Sequence, residues 1–219
     1  MMTTRAAVKE SLCEALGPAG FDAMLAQAGF CRPAKSLSYR RVISGMSQGL
    51  EVAFDVRPAY EPAAIAHLLP YVRLESHNLG QVVHLMTGGD ANLVGRGSRS
   101  MVFQQQLNNL APKGRRAVYW YVYDLKQVRD CVAQVREFAR TWAIPFLEEY
   151  CDIASLARGF EGGDERLPND RRFCVFVAAC HLLLNEPAKA MASLEKRLAR
   201  PGPRREYARA FEYVGKLLR

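Results

Sequence analysis

Six cysteines and four histidines are the residues of this chain best suited to metal binding or nucleophilic catalysis, and their spacing supports neither. Cys13, Cys31, Cys131, Cys151, Cys174 and Cys180 form no CxxC pair. None of them stands at a zinc-ligand spacing from His67, His77, His84 or His181. Cys180 and His181 are adjacent, but neighbouring helix residues point about 100° apart and cannot meet as nucleophile and base. Cys180 falls among Phe176, Val177 and Leu184, where a thiol behaves as a small hydrophobe. Buried, reduced thiols are therefore expected rather than a disulfide framework. No catalytic residue, metal or cofactor is expected.

Two other segments have chemical potential. Residues 87–100, TGGDANLVGRGSRS, could cradle a phosphate on backbone amides beside Arg96 and Arg99. The segment has no GxGxxG and no lysine followed by Ser or Thr, so a loop between strands is the expected reading. In LAPKGRRAVYWYVY the cations Lys113, Arg115 and Arg116 precede Tyr119, Trp120, Tyr121 and Tyr123, a mixture that single-strand nucleic-acid binders use for stacking. On a strand the three tyrosines share one face, while Val118, Trp120 and Val122 share the other. One face must be core, so only the tyrosines are available.

The charge pattern bears on partners. The chain carries a net charge of +8, unevenly spread. Residues 146–170 hold seven acidic residues against two arginines, and from Arg171 onward there are eleven Lys and Arg against four Glu. Arg96, Arg99, Arg204, Arg205 and Arg209 are the surface residues expected to steer an acidic partner. With 49% hydrophobic and 24% charged residues the composition is that of a soluble globular protein. No apolar run approaches the ~20 residues that cross a bilayer, and the first residues lack a signal-peptide core, so a cytoplasmic protein without a membrane partner is expected.

Residues 117–149 change hydrophobic period once, from an aromatic, β-branched strand to an amphipathic helix. Asp124 and Gln127 are placed for a capping box, and Pro145 is placed to stop the helix. Its stripe of Leu125, Val128, Val132, Val135, Phe138 and Trp142 reads as core. Earlier, residues 6–30 read as helix broken at 17–20. Strands are expected at 38–43, 50–56, 68–74, 81–86, 101–107 and 117–123, with Pro70 marking the third as an edge strand or one that begins late. After a Gly-containing acidic connector the 3.6-residue period returns, with helices opening at Arg171 and Pro187 and a third carrying Tyr207, Phe211, Val214 and Leu218. The expected fold is α+β: a mostly antiparallel sheet covered by helices over residues 1–155, and a helical hairpin plus capping helix over 171–219 packed on it.

Gly29-Phe30, the strand with Tyr39-Arg40-Arg41, the Trp120 strand and the helix end Ile144-Pro145-Phe146-Leu147-Glu148 together resemble a group of uncharacterised bacterial α+β domains. That resemblance implies a domain without catalytic residues, of a kind found among accessory and immunity proteins. Ala178, the turn at Asn185, Ala190 and Leu194 also resemble a single tetratricopeptide-type unit. The expectation is a non-catalytic protein-binding module. Its alternatives are a nucleic-acid binder using the basic C-terminal helices, and a hydrolase or transferase with its site on loops 76–80 and 87–100.

Overall fold

The computed structural model describes residues 4–17, 20–94 and 100–219. It is an α+β fold with an antiparallel five-stranded sheet. The chain runs α1 (Arg5–Ala15), α2 (Phe21–Gln27), β1 (Ser38–Ile43), β2 (Met46–Val56), β3 (Ala66–Glu75), α3 (His77–Thr87), α4 (Ala91–Val94), β4 (Met101–Gln106) and β5 (Trp120–Val122). The remaining helices are α5 (Val128–Phe138), α6 (Ile144–Glu149), α7 (Ile153–Gly162), α8 (Arg171–Leu183), α9 (Pro187–Leu198), α10 (Pro201–Glu206) and α11 (Ala208–Leu217). Strand order is β1-β2-β3-β4, and β5 also pairs with β3. Residues group into two units, one of 1–42, 47–73 and 104–149 and one of 43–46, 74–103 and 150–219.

In the first unit, strict alternation along β2 buries Leu50, Val52 and Phe54, and along β3 the alternation from Leu68 onward buries Leu68 and Val72. Trp120 and Val122 of β5 join this face, and α1, α2 and α5 pack together with α5 lying on β5. On the other face Arg40, Asp55 and Gln104 are exposed. β3 is an interior strand and not an edge. Pro70 is tolerated there because it follows Leu68, the last residue paired with β5, as β3 changes neighbour. The turn between β1 and β2 is Ser44-Gly45, with φ of 48° and 77°, the left-handed pair that a two-residue hairpin requires.

The helix after β5 differs from expectation at both ends. Asp124 caps it by accepting from the Lys126 amide at 3.0 Å, but Gln127 reaches one residue further back, to the Tyr123 amide at 3.1 Å. Pro145 does not stop the helix. Before it, Ala139–Ala143 widens into a π turn in which the Ile144 amide donates to Ala139, and the helix continues as α6. A proline lacks an amide and crowds the carbonyl four residues earlier, and the wider turn moves that carbonyl away. The inserted residue shifts the buried stripe onto Ala139, Ala143, Phe146 and Leu147. Trp142 is consequently half-buried, with the Arg115 guanidinium 5.7 Å from its ring.

In the second unit, residues 77–87 form a helix, so the strand expected at 81–86 is not formed. Leu79, Val83 and Met86 are buried at helical spacing. Ser76 caps the helix through the Leu79 amide at 3.4 Å, and Gly88 closes it at φ +68°. Much of the expected connector is likewise helical: Asp152 and Ser155 form a capping box at the start of α7, which runs to Gly162. α8 and α9 form the expected hairpin, turned at Asn185 with φ +59° and opened by Pro187 at the first helical position. α3 packs on α8 and α11, and α11 on α9. No helix among the described residues is long and apolar enough to cross a membrane.

All six cysteines are free thiols. Cys131, Cys174 and Cys180 are buried, whereas Cys13 and Cys151 are half-buried and Cys31 is exposed. Burial pushes the Cys180 thiol up to about 12, which keeps it protonated and unreactive.

Candidate binding surface

β5 is short, but its two-residue period decides the surface. Trp120 and Val122 point into the core, so Tyr119, Tyr121 and Tyr123 stand together on the opposite face. The strand entrance is pinned by Asn108, which donates to the Val118 carbonyl at 2.8 Å and accepts from its amide at 3.2 Å. β3 runs antiparallel beside it with His67 opposite Tyr121, and the two rings lie 4.5 Å apart. From the loop between β2 and β3, Tyr60 folds over the same residue, its hydroxyl 2.8 Å from His67 Nδ1.

The result is a continuous aromatic platform. Tyr119 and Tyr121 stack with centroids 5.8 Å apart and planes 11° apart, and Tyr123 continues the row 6.4 Å beyond. Tyr60 lies 6.5 Å from Tyr121. Tyr60 and Tyr119 are each 61% exposed and Tyr123 48%, whereas His67 at their centre is 7% exposed. Burial lowers the His67 pKa by more than nearby Asp55 raises it, so the imidazole is uncharged at neutral pH. The ring set combines apolar area with hydroxyl groups and few rotatable bonds, the properties that make tyrosine effective at interfaces.

Of the arginines expected to bind a partner, Arg96 and Arg99 lie outside the described residues. Arg204, Arg205 and Arg209 are exposed on α10 and α11. The Arg204 guanidinium lies 4.4 Å from the Phe211 ring centroid, and the Arg209 guanidinium rests against Gly88, where a Cβ would collide with it. Arg205 and Arg209 line a cleft with Lys216 that also holds Glu206 and Glu212, so its charge is mixed. Tyr60 and His67 were not singled out from sequence. His67 reaches the tyrosines only through strand register, which no local pattern encodes.

The titratable clusters elsewhere have structural roles. His181 is buried with Nδ1 2.9 Å from Glu186 and Nε2 3.2 Å from Glu161, the latter off the hydrogen-bonding direction. It thus links α7, α8 and the start of α9. No group of His, Cys, Asp and Glu suited to a metal ion occurs among the described residues. Asp164 accepts from the Tyr150 hydroxyl and from Arg166 Nη2 at 2.5 Å. Burial pushes its carboxyl up, but the hydrogen bonds from Arg166 and Tyr150 together outweigh that and hold it at about 2.

That depressed value sets an acid limb of stability. The unfolded carboxyl titrates near 3.8, so the stabilisation is complete above it and is lost as pH falls towards about 2. After solvent screening it is on the order of 1 kcal/mol. Asp22, Asp152 and Asp170 are shifted in the same direction. Asp164→Asn is therefore expected to make stability fall less steeply between pH 4 and 2 without abolishing the fall, which urea unfolding at a series of pH values measures. Identical acid limbs would show that the Tyr150 and Arg166 contacts do not persist in solution.

No family model, curated protein or solved structure matches this chain. Its functional reading therefore rests on its own surfaces.

Proposed function

We propose that the protein is a non-catalytic binding module for another protein, and that the tyrosine-bearing face of the sheet is its contact surface. The observation that carries this reading is the exposure of three tyrosines in one cluster around a buried, uncharged histidine. Solvated surfaces have no need of such a cluster, whereas buried aromatic anchors supply most of the energy of protein interfaces. A cytoplasmic accessory or immunity role in a bacterium, as the sequence resemblance implies, is compatible with a module of this kind. The basic helices are the weaker candidate surface, because Glu206 and Glu212 share the cleft of Arg205 and Arg209.

Capture from the source cells, followed by purification of the bound protein and titration, tests the reading. Combining Tyr119→Ser, Tyr121→Thr and Tyr123→Ser is expected to weaken the complex at least about a hundredfold, since tyrosine is enriched among the few hot-spot residues that contribute about 2 kcal/mol or more. Folding is expected to change by under about 0.5 kcal/mol at each of the exposed sites Tyr119 and Tyr123, and by more at the half-buried Tyr121. Arg204→Glu with Arg205→Glu and Arg209→Glu should alter affinity only a few-fold. The opposite ranking of the two variants would move the contact surface to the helices.

A further inference from the structure

We propose that the second unit holds a site for a small carboxylic acid with an apolar body, in the cavity between the acidic connector, α8 and α9. The site shares no residue with the tyrosine face, so it stands or falls independently of the protein-binding reading. The cavity measures about 90 Å³. Its apolar lining comes from Phe160 at the end of α7, Leu167 in the connector, and Phe173 and Val177 of α8. The rings of Phe160 and Phe173 lie 6.1 Å apart, and Phe176 continues the cluster 5.5 Å from Phe173. Phe160, Phe173 and Val177 remain half-buried, and an apolar group seated against them would cover area that water now wets. An apolar cavity of about 150 Å³ takes a benzene ring. This smaller one suits a short branched chain or at most a single ring, with the polar end at the mouth.

Charge selects the head group. Of the carboxylates lining the cavity, Asp164 accepts from Tyr150 and Arg166. Asp170 pairs with Arg172 at 2.7 Å and accepts from the backbone amides of Arg172 and Phe173. Glu161 is turned towards His181 Nε2 at 3.2 Å. The cations of the lining are Lys196 and Arg197 of α9, both exposed. Arg197 donates Nη1 to the neutral Asn169 carbonyl at 2.9 Å, and neither cation pairs with a carboxylate among the described residues. The basic helix therefore closes on the acidic connector without being neutralised by it. The remaining guanidinium N–H groups and the ammonium can hold a carboxylate, whereas a cationic ligand would find the acidic groups already engaged.

Cys174 of α8 supplies a reporter, because its buried thiol also lines the cavity. Burial pushes this thiol up while the Arg197 charge acts to lower it, which places the guanidinium close to the sulfur.

The test is calorimetric titration of the full chain with benzoate and with isovalerate. Benzamide and benzylamine are the neutral and cationic controls, and inorganic phosphate is the anion without an apolar body. At least one of the two acids is expected to bind with a dissociation constant below about 1 mM, and the three controls at least about tenfold more weakly. Lys196→Gln with Arg197→Gln should weaken binding of the acid at least about tenfold. Lys196→Gln alone, which breaks no contact, should weaken it several-fold. Val177→Phe should fill the cavity and remove binding, and if that variant does not fold the glutamine variants decide. Saturating acid should slow iodoacetamide modification of Cys174 and leave Cys13, Cys31 and Cys151 unchanged. Failure of both acids to bind would overturn the proposal. Benzylamine or phosphate binding as tightly, or an affinity indifferent to the double glutamine substitution, would overturn it equally. The tyrosine face is untouched by each of these results.

Discussion

Replacing Trp120 by alanine is expected to destabilise the first unit by about 3–5 kcal/mol, the range for truncating a buried aromatic residue. Trp120 is 2% exposed and meets Phe138 of α5 edge-on at 5.4 Å. It thus packs β5 against the helix that covers it. For a chain of this size the melting temperature should fall by roughly 6–20 °C. Trp142→Ala should have a smaller effect, about half as large, because the π turn rotates Trp142 to a half-buried position beneath Arg115. Calorimetry of the two variants side by side decides the matter. Equal losses would mean that the helix keeps a regular stripe through Trp142 and that the π turn is absent in solution. Because Trp120 fixes the pleat of β5, its loss should also disorder the tyrosine face. Partner affinity should then fall together with stability, whereas Tyr121→Thr separates the two.

The same strand shows what could be read from sequence. Alternation over seven residues sufficed to place Trp120 inward and the tyrosines outward, since a two-residue period needs no knowledge of the neighbouring strand. The helix after it was equally legible as far as Phe138. Its continuation past Pro145 was not, because a proline signals a stop unless a wider turn precedes it, and nothing in Ala139–Ala143 announces one. Residues 81–86 illustrate a different failure. Six residues rich in Val, Leu and Met fit a strand or one turn and a half of helix, and the deciding signals, Ser76 as cap and Gly88 as terminator, lie outside that window. The site was half visible for a related reason. The tyrosines are local in sequence, but His67 joins them through the register Ala66↔Val122, His67↔Tyr121, Leu68↔Trp120, and Tyr60 joins through a loop. Register depends on long-range pairing, which periodicity alone does not supply.

Gln48 is the second site where a single change should be severe. It is fully buried on β2, accepting from Arg41 Nε at 2.7 Å and donating to the Leu147 carbonyl at 2.6 Å. Arg41 is held further by the Ala28 carbonyl at 2.6 Å and by the Phe30 ring, whose centroid is 4.5 Å from its guanidinium. One side chain thereby connects the β1–β2 hairpin to the end of α6. Gln48→Leu keeps the volume but removes both bonds. A hydrogen bond to a charged donor contributes about 1.5–3 kcal/mol, and a buried carbonyl deprived of its partner adds about 1 kcal/mol or more, so a loss of about 3 kcal/mol is expected. Part of that loss comes from the guanidinium left beside an apolar group rather than from the bond itself. Arg41→Met in the Gln48→Leu background should therefore recover stability, and the double-mutant cycle should show coupling of about 1 kcal/mol or more. Additive losses from the two substitutions would mean that the Gln48 contact contributes little to holding Arg41 in place.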